Sequence, residues 1–102
     1  MKRTRIVLAD DHAVLREGLR FLIEAQPDFE VVGEAGTGQE AITRVGETTP
    51  AVLCLDLSMP GGGVAATIQN VKALSPLTRV MILSMHSEPA YVRSAFAAGA
   101  DG

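Results

Sequence analysis

Four short apolar runs, each followed by a stretch with helical spacing, constrain the fold of this chain more tightly than any single residue. The runs are Ile6 to Ala9, Phe29 to Ala35, Val52 to Leu55 and Arg79 to Ser84. Runs of that length closed by turn formers read as buried strands. Between and after them, apolar residues recur at helical intervals: Val14, Leu15, Leu19, Leu22 and Ile23; Ala41, Ile42 and Val45; Val64, Ile68 and Val71; Val92, Ala95 and Phe96. Local signals mark the ends of these helices. Thr37 with Glu40 fits a capping box, and Ser87 suits an N-cap with Pro89 in the first turn. Pro27, Pro50 and Pro76 interrupt the chain after the first three helices, and Gly99 is placed to stop the fourth. Strands that are apolar throughout and joined by helices imply a parallel sheet between helical layers, with right-handed crossovers.

A length of 102 residues fits one small domain, spanning 1–102. The net charge of -3 argues against a nucleic-acid partner for this segment, since such proteins carry a basic face. The single cysteine, Cys54, lies inside the third apolar run and reads as a buried thiol in a reducing compartment. Met1 to Arg5 is basic, but the apolar run behind it is far too short for a signal peptide, and no stretch reaches membrane-spanning length. A soluble, cytoplasmic protein is expected.

Two of the strands end in acids: the first in Asp10-Asp11, the third in Asp56, which stands directly before Leu57-Ser58-Met59-Pro60 and three glycines. Residues at the carboxyl end of a strand in an open α/β sheet stand where such folds bind ligands. If the two strands are neighbours, three carboxylates converge there, at a cost in repulsion unless a cation or a proton intervenes. An all-oxygen set suits Mg²⁺, which keeps several waters for a phosphate to displace. The plainer alternative is that Asp10 or Asp11 caps the first helix. The fourth strand ends on Ser84, whose hydroxyl either bonds a phosphoryl oxygen or caps the turn.

These motifs together resemble a response-regulator receiver domain: Asp10-Asp11 after the first strand, Asp56-Leu57-Ser58-Met59-Pro60 after the third, Leu83-Ser84-Met85-His86 after the fourth. Ala9-Asp10-Asp11-His12, Val31-Val32-Gly33-Glu34-Ala35 and Ala98-Gly99-Ala100-Asp101-Gly102 are similar to the NarL/FixJ (LuxR-type) subfamily of two-component regulators. The resemblance implies a flavodoxin-like three-layer sandwich with sheet order 2-1-3-4-5. It also implies that Asp56 accepts a phosphoryl group from a histidine kinase. Asp11, Asp56 and the backbone carbonyl of Ser58 would bind Mg²⁺, Asp10 mostly through water, and Ser84 would be the switch hydroxyl. Ser58 and His86 would flank the phosphoryl group and tune its lifetime; an exposed loop histidine is the other reading of His86. The chain would be a self-catalysing phosphoacceptor, not a classical enzyme.

Against the family pattern, the glycine loop after Pro60 is about one residue short. The chain is also expected to lack the fifth strand, with its aromatic switch residue and phosphate-pairing lysine, and the last helix. No DNA-binding domain is expected in it, so DNA would be reached only through a C-terminal domain of the full-length regulator. Without a fifth strand, the fourth is expected to be an unprotected apolar edge, so that the protein either self-associates through it or is marginally stable. A second reading is a small dinucleotide-binding domain, because Gly36-Thr37-Gly38 opens the second helix in the G-x-G-x-x-A form. That reading leaves Asp10-Asp11 unexplained. An aspartate-nucleophile phosphatase would need a second acid where Ser58 stands.

Overall fold

The computed structural model describes residues 3–57, 63–83 and 89–102. Strand and helix alternate in the expected order: β1 (Thr4–Ala9), α1 (Ala13–Glu24), β2 (Phe29–Ala35), α2 (Gly38–Thr48), β3 (Val52–Asp56), α3 (Val64–Leu74), β4 (Arg79–Leu83) and α4 (Pro89–Ala98). The four strands are parallel in the order β2-β1-β3-β4. The order reverses direction after β2, so right-handed crossovers put α1 on one face and α2 and α3 on the other. Helix α4 packs beside α3. The expected N-cap Ser87 and the residues after Leu57 up to Gly62 lie outside the described residues.

Strand side chains alternate between faces, so each face has its own set. Val7, Ala9, Leu53, Leu55 and Val80 point into the principal core, where Ala41, Val45, Ile68, Val71 and Ala95 meet them from α2, α3 and α4. Burial of this kind stabilises at roughly 25 cal/mol per Å² of apolar surface. Ile6 and Leu8 occupy the opposite face, under α1, and are also buried. Beyond β1 that face loses its cover: Cys54 is only partly buried, and Met81 and Leu83 are exposed. The expectation of strands buried on both faces therefore fails over β4, because α1 packs on β1 and β2.

Helix α1 departs from expectation in the same way. None of its residues is fully buried, and Val14, Phe21 and Leu22 are largely exposed although the apolar stripe is clear in the sequence. Phe96 on α4 is likewise half exposed. The helix ends follow the local chemistry more closely. Thr37 caps α2, its hydroxyl accepting from the Glu40 amide at 3.1 Å, while Glu40 reaches back to the amide of Gly36 instead of Thr37.

The edge of β4 is not bare. After α4, Gly99 adopts φ 119°, and the amides of Gly99 and Ala100 close the helix on the carbonyls of Phe96 and Ala95. The chain then runs along β4: Asp101 N and Gly102 N donate to Val80 O, and Ile82 N donates to Gly102 O at 2.7 Å. The last two of these bonds are the alternating pattern of a parallel ladder. Asp101 locks the segment, its Oδ2 accepting from Val80 N (2.9 Å) and Lys72 Nζ (2.6 Å). The expectation of an unprotected fourth strand is thus corrected: the chain's own Ala100–Gly102 segment occupies the edge at Val80 and Ile82.

Candidate functional site

The ladder between β1 and β3 ends with Ala9 opposite Leu55, so the next residues stand side by side at the carboxyl edge: Asp10 just past β1, and Asp56 as the last residue of β3, opposite Leu83 of β4. Parallel partners point to the same face, which brings both carboxylates to one place at the carboxyl edge. Both residues are buried, at 5% and 7% exposure, whereas Asp11 is more open. Oxygen atoms of Asp10, Asp11 and Asp56 and a ring nitrogen of His12 lie within 4.8 Å of one another. Asp10 and Asp56 are thus desolvated acids held near a third, an arrangement that favours any cation able to sit among them.

His12 supplies part of that countercharge. Its Nδ1 is 3.1 Å from Asp10 Oδ1 and 3.1 Å from Asp11 Oδ1, and 4.0 Å from Asp56 Oδ2. The hydrogen bond to Asp10 and the charge of Asp11 raise the imidazole above its usual value, favouring the imidazolium. His12 is also the N-cap residue of α1 but makes no side-chain cap bond. The helix-capping reading of Asp10 is met only obliquely, since Asp10 Oδ1 accepts the backbone amide of His12 at 2.8 Å, outside the helix proper. His12 was not read from sequence as part of the site; the signal available was its position directly after the acid pair.

Arg16 is the second residue that sequence reasoning missed. It projects from α1 toward the ends of β1 and β2, where Nη1 donates to the carbonyls of Asp10 (2.6 Å) and Ala35 (3.2 Å) and Nε to Glu34 Oε1 (3.2 Å). Of the sequence-predicted site residues, Asp10, Asp11 and Asp56 come together, while Ser58, Ser84 and His86 lie outside the described residues. Cys54, one strand position before Leu55, takes no part: burial pushes its thiol up, away from the reactive thiolate.

The donors present fit a hard divalent cation. Three carboxylates provide oxygen ligands, and the carboxyl edge leaves Asp11 open enough for water to complete a shell. A dinucleotide fits poorly. The Gly36 loop follows β2, the outermost strand, and Asp56 stands two strands away across β1. The Gly36 amide that a pyrophosphate would need is already taken by the Glu40 carboxylate at 3.1 Å. Among the described residues, no helix is long and apolar enough to cross a membrane.

Known proteins resemble this chain in sequence and in fold. The chain is 44% identical over 96 residues to the uncharacterized transcriptional regulatory protein YhcZ of Bacillus subtilis, covering 94% of this chain and 45% of that protein. It is 42% identical over 100 residues to the oxygen regulatory protein NreC of Staphylococcus haemolyticus, covering 96% and 46% respectively. The chain thus spans about half the length of these curated relatives. Among solved structures, a LuxR-family two-component response regulator from Aurantimonas sp. SI85-9A1 superposes with a TM-score of 0.89 at 39% identity, covering 97% of this chain and 71% of that one. The response regulator domain of Thermotoga maritima CheB gives 0.87 at 32% identity, covering 97% and 75%. The family described as response regulator receiver domain matches residues 6–102. A flavodoxin-like sheet with paired acids at the ends of adjacent strands, and this match over nearly the whole length, make the chain a member of the response-regulator receiver family, with LuxR-type regulators among its relatives.

Proposed function

We propose that this chain is the phosphoacceptor part of a LuxR-type transcriptional regulator, taking a phosphoryl group on Asp56 from a sensor histidine kinase. The observation that carries the reading is the meeting of Asp10, Asp11 and Asp56 at the ends of two adjacent strands. A carboxylate oxygen of Asp56 attacks phosphorus in line, the bond from phosphorus to the donor histidine nitrogen breaks, and its electron pair returns to the imidazole. The transferred group carries negative charge into a place that already holds three acids. Asp11, Asp56 and the carbonyl of Ser58 would hold Mg²⁺, with Asp10 acting through water; the ion supplies charge neutralisation on the attacking and transferred oxygens. His12, which lies 3.1 Å from Asp10 and Asp11, keeps those acids partly neutralised when no metal is present.

Ser84 serves in this reading as the hydroxyl that follows the phosphoryl group, and Ser58 and His86 set how readily water reaches it. The chain is a self-catalysing phosphoacceptor and not a classical enzyme, and it works in the cytoplasm. DNA is contacted by another part of the full-length regulator, in keeping with relatives that are about twice as long and a net charge here of -3. Self-association uses what the Ala100–Gly102 segment leaves of the β4 face, where Met81 and Leu83 are exposed.

The test is incubation with acetyl phosphate and Mg²⁺, followed by intact-mass and peptide-mass measurement. The expected result is one added phosphoryl group mapped to Asp56, absent in Asp56→Asn and absent in chelator. A label on another residue, or one that survives chelation, would overturn the reading.

A further inference from the structure

We infer that Arg16 is a positioning residue for the acidic site, holding the strand ends from which Asp10 and Asp11 project. The inference rests on the phosphoacceptor reading of that site and adds a residue to it. Three bonds meet at one joint. Arg16 Nη1 donates to Asp10 O and Ala35 O, and Ala35 O also accepts Asp10 N at 2.9 Å. The carbonyl just past β1 and the one that ends β2 are therefore clamped by one guanidinium, whose side chain is only 23% exposed.

The clamp acts on the acids through covalent geometry. The Asp10 carbonyl shares a rigid peptide plane with the Asp11 amide, so fixing that oxygen fixes the direction in which Asp11 leaves the sheet. Helix α1 is the lever that delivers the guanidinium, because Arg16 lies one turn into it, with its own amide bonded to His12 O at 2.8 Å. Glu34 Oε1 accepts from Nε at 3.2 Å and aims the planar fork. Mg²⁺ demands near-ideal octahedral geometry, so small displacements of a ligand oxygen weaken its binding. Removing residues that orient metal ligands costs about 10–100-fold in affinity.

Three variants of the whole chain separate positioning from general stability, with the Mg²⁺ dissociation constant read by calorimetry and the thermal midpoint read by circular dichroism. Arg16→Met keeps the aliphatic stem but loses the donors and the charge; it should weaken Mg²⁺ binding by about 10–100-fold. Arg16→Lys keeps a charged donor within reach of the carbonyls and should recover most of the affinity. Asp101→Asn breaks the ion pair to Lys72, outside the acidic site, and should lower the thermal midpoint while leaving Mg²⁺ affinity unchanged. If Arg16→Met does not fold, the milder Arg16→Gln is expected to fall on the weak side of Arg16→Lys. Wild-type affinity in Arg16→Met, or affinity losses that simply track the thermal midpoint across all variants, would overturn the role of Arg16 while leaving the phosphoacceptor reading in place. No Mg²⁺ binding by the wild-type chain would overturn both.

Discussion

Replacing Asp11 by asparagine should stabilise the protein when no divalent cation is bound, and the gain should depend on pH. Ligand oxygens of Asp10, Asp11 and Asp56 stand within 4.8 Å of one another. At that distance a pair of carboxylates repels by about 0.9 kcal/mol in the dielectric of water and about 3.5 kcal/mol at an effective value near 20. Asp11 faces two such partners but its side chain is 30% exposed, so the lower figure applies to each pair. Screening by buffer ions then leaves about 1–1.5 kcal/mol in total. For a domain of this size that is a rise of roughly 5–10 °C in the thermal midpoint. His12 sets the pH dependence. Its folded-state pKa is raised by Asp10 and Asp11, so the stabilising imidazolium is fully present below the unfolded value and is lost as pH rises through the folded one. Below the unfolded value the imidazolium offsets Asp11 and the substitution gains little; at a higher pH, above the folded value, it gains more. Urea unfolding followed by far-ultraviolet circular dichroism, in chelator and low salt, measures both. An Asp11→Asn protein no more stable than wild type at the higher pH would refute the repulsion argument. A gain equal at both pH values would refute the role given to His12.

Gly99→Ala should destabilise by about 1–2 kcal/mol or more, because φ 119° excludes a Cβ, and thermal melts check it. Asp101→Asn should cost about 1 kcal/mol at neutral pH by weakening the lock on Lys72 and Val80 N. Lys72 and the Val80 amide hold the Asp101 carboxyl below its ordinary range, so its contribution is present above the unfolded pKa and fades as pH falls through the folded one. Denaturant midpoints of the two proteins should therefore converge in acid. Leu53→Ala, at a fully buried position at the centre of the principal core, should cost about 3 kcal/mol in the same assay.

Strand and helix alternation was legible because both periodicities are strong, and Asp10, Asp11 and Asp56 were legible because turn formers leave them at strand ends. What could not be read was set by which face has a cover. The apolar stripe of α1 and the apolar run of β4 look like core residues in the chain, yet Phe21, Met81 and Leu83 are exposed because no described element lies over them. Nor does residue type reveal that the Asp101 carboxylate and the turn at Gly99 would carry the chain back along β4. Arg16 resembles any polar residue on the outer face of an amphipathic helix. Only the register of β1 against β2 puts two carbonyls under its guanidinium.

The thin attachment of α1 has a kinetic consequence. With no fully buried residue of its own among those described, this helix lies over Ile6 and Leu8 and is tied down by Arg16, Arg20 and Glu34, and so has a low cost of local opening. Its amides should exchange with solvent well before those of β1 and β3. Each opening withdraws Arg16 from the strand ends, so cation binding at the acids and closure of α1 are thermodynamically linked. Occupancy of the acidic edge would then be written into the exchange rates of a helix whose apolar residues never touch it.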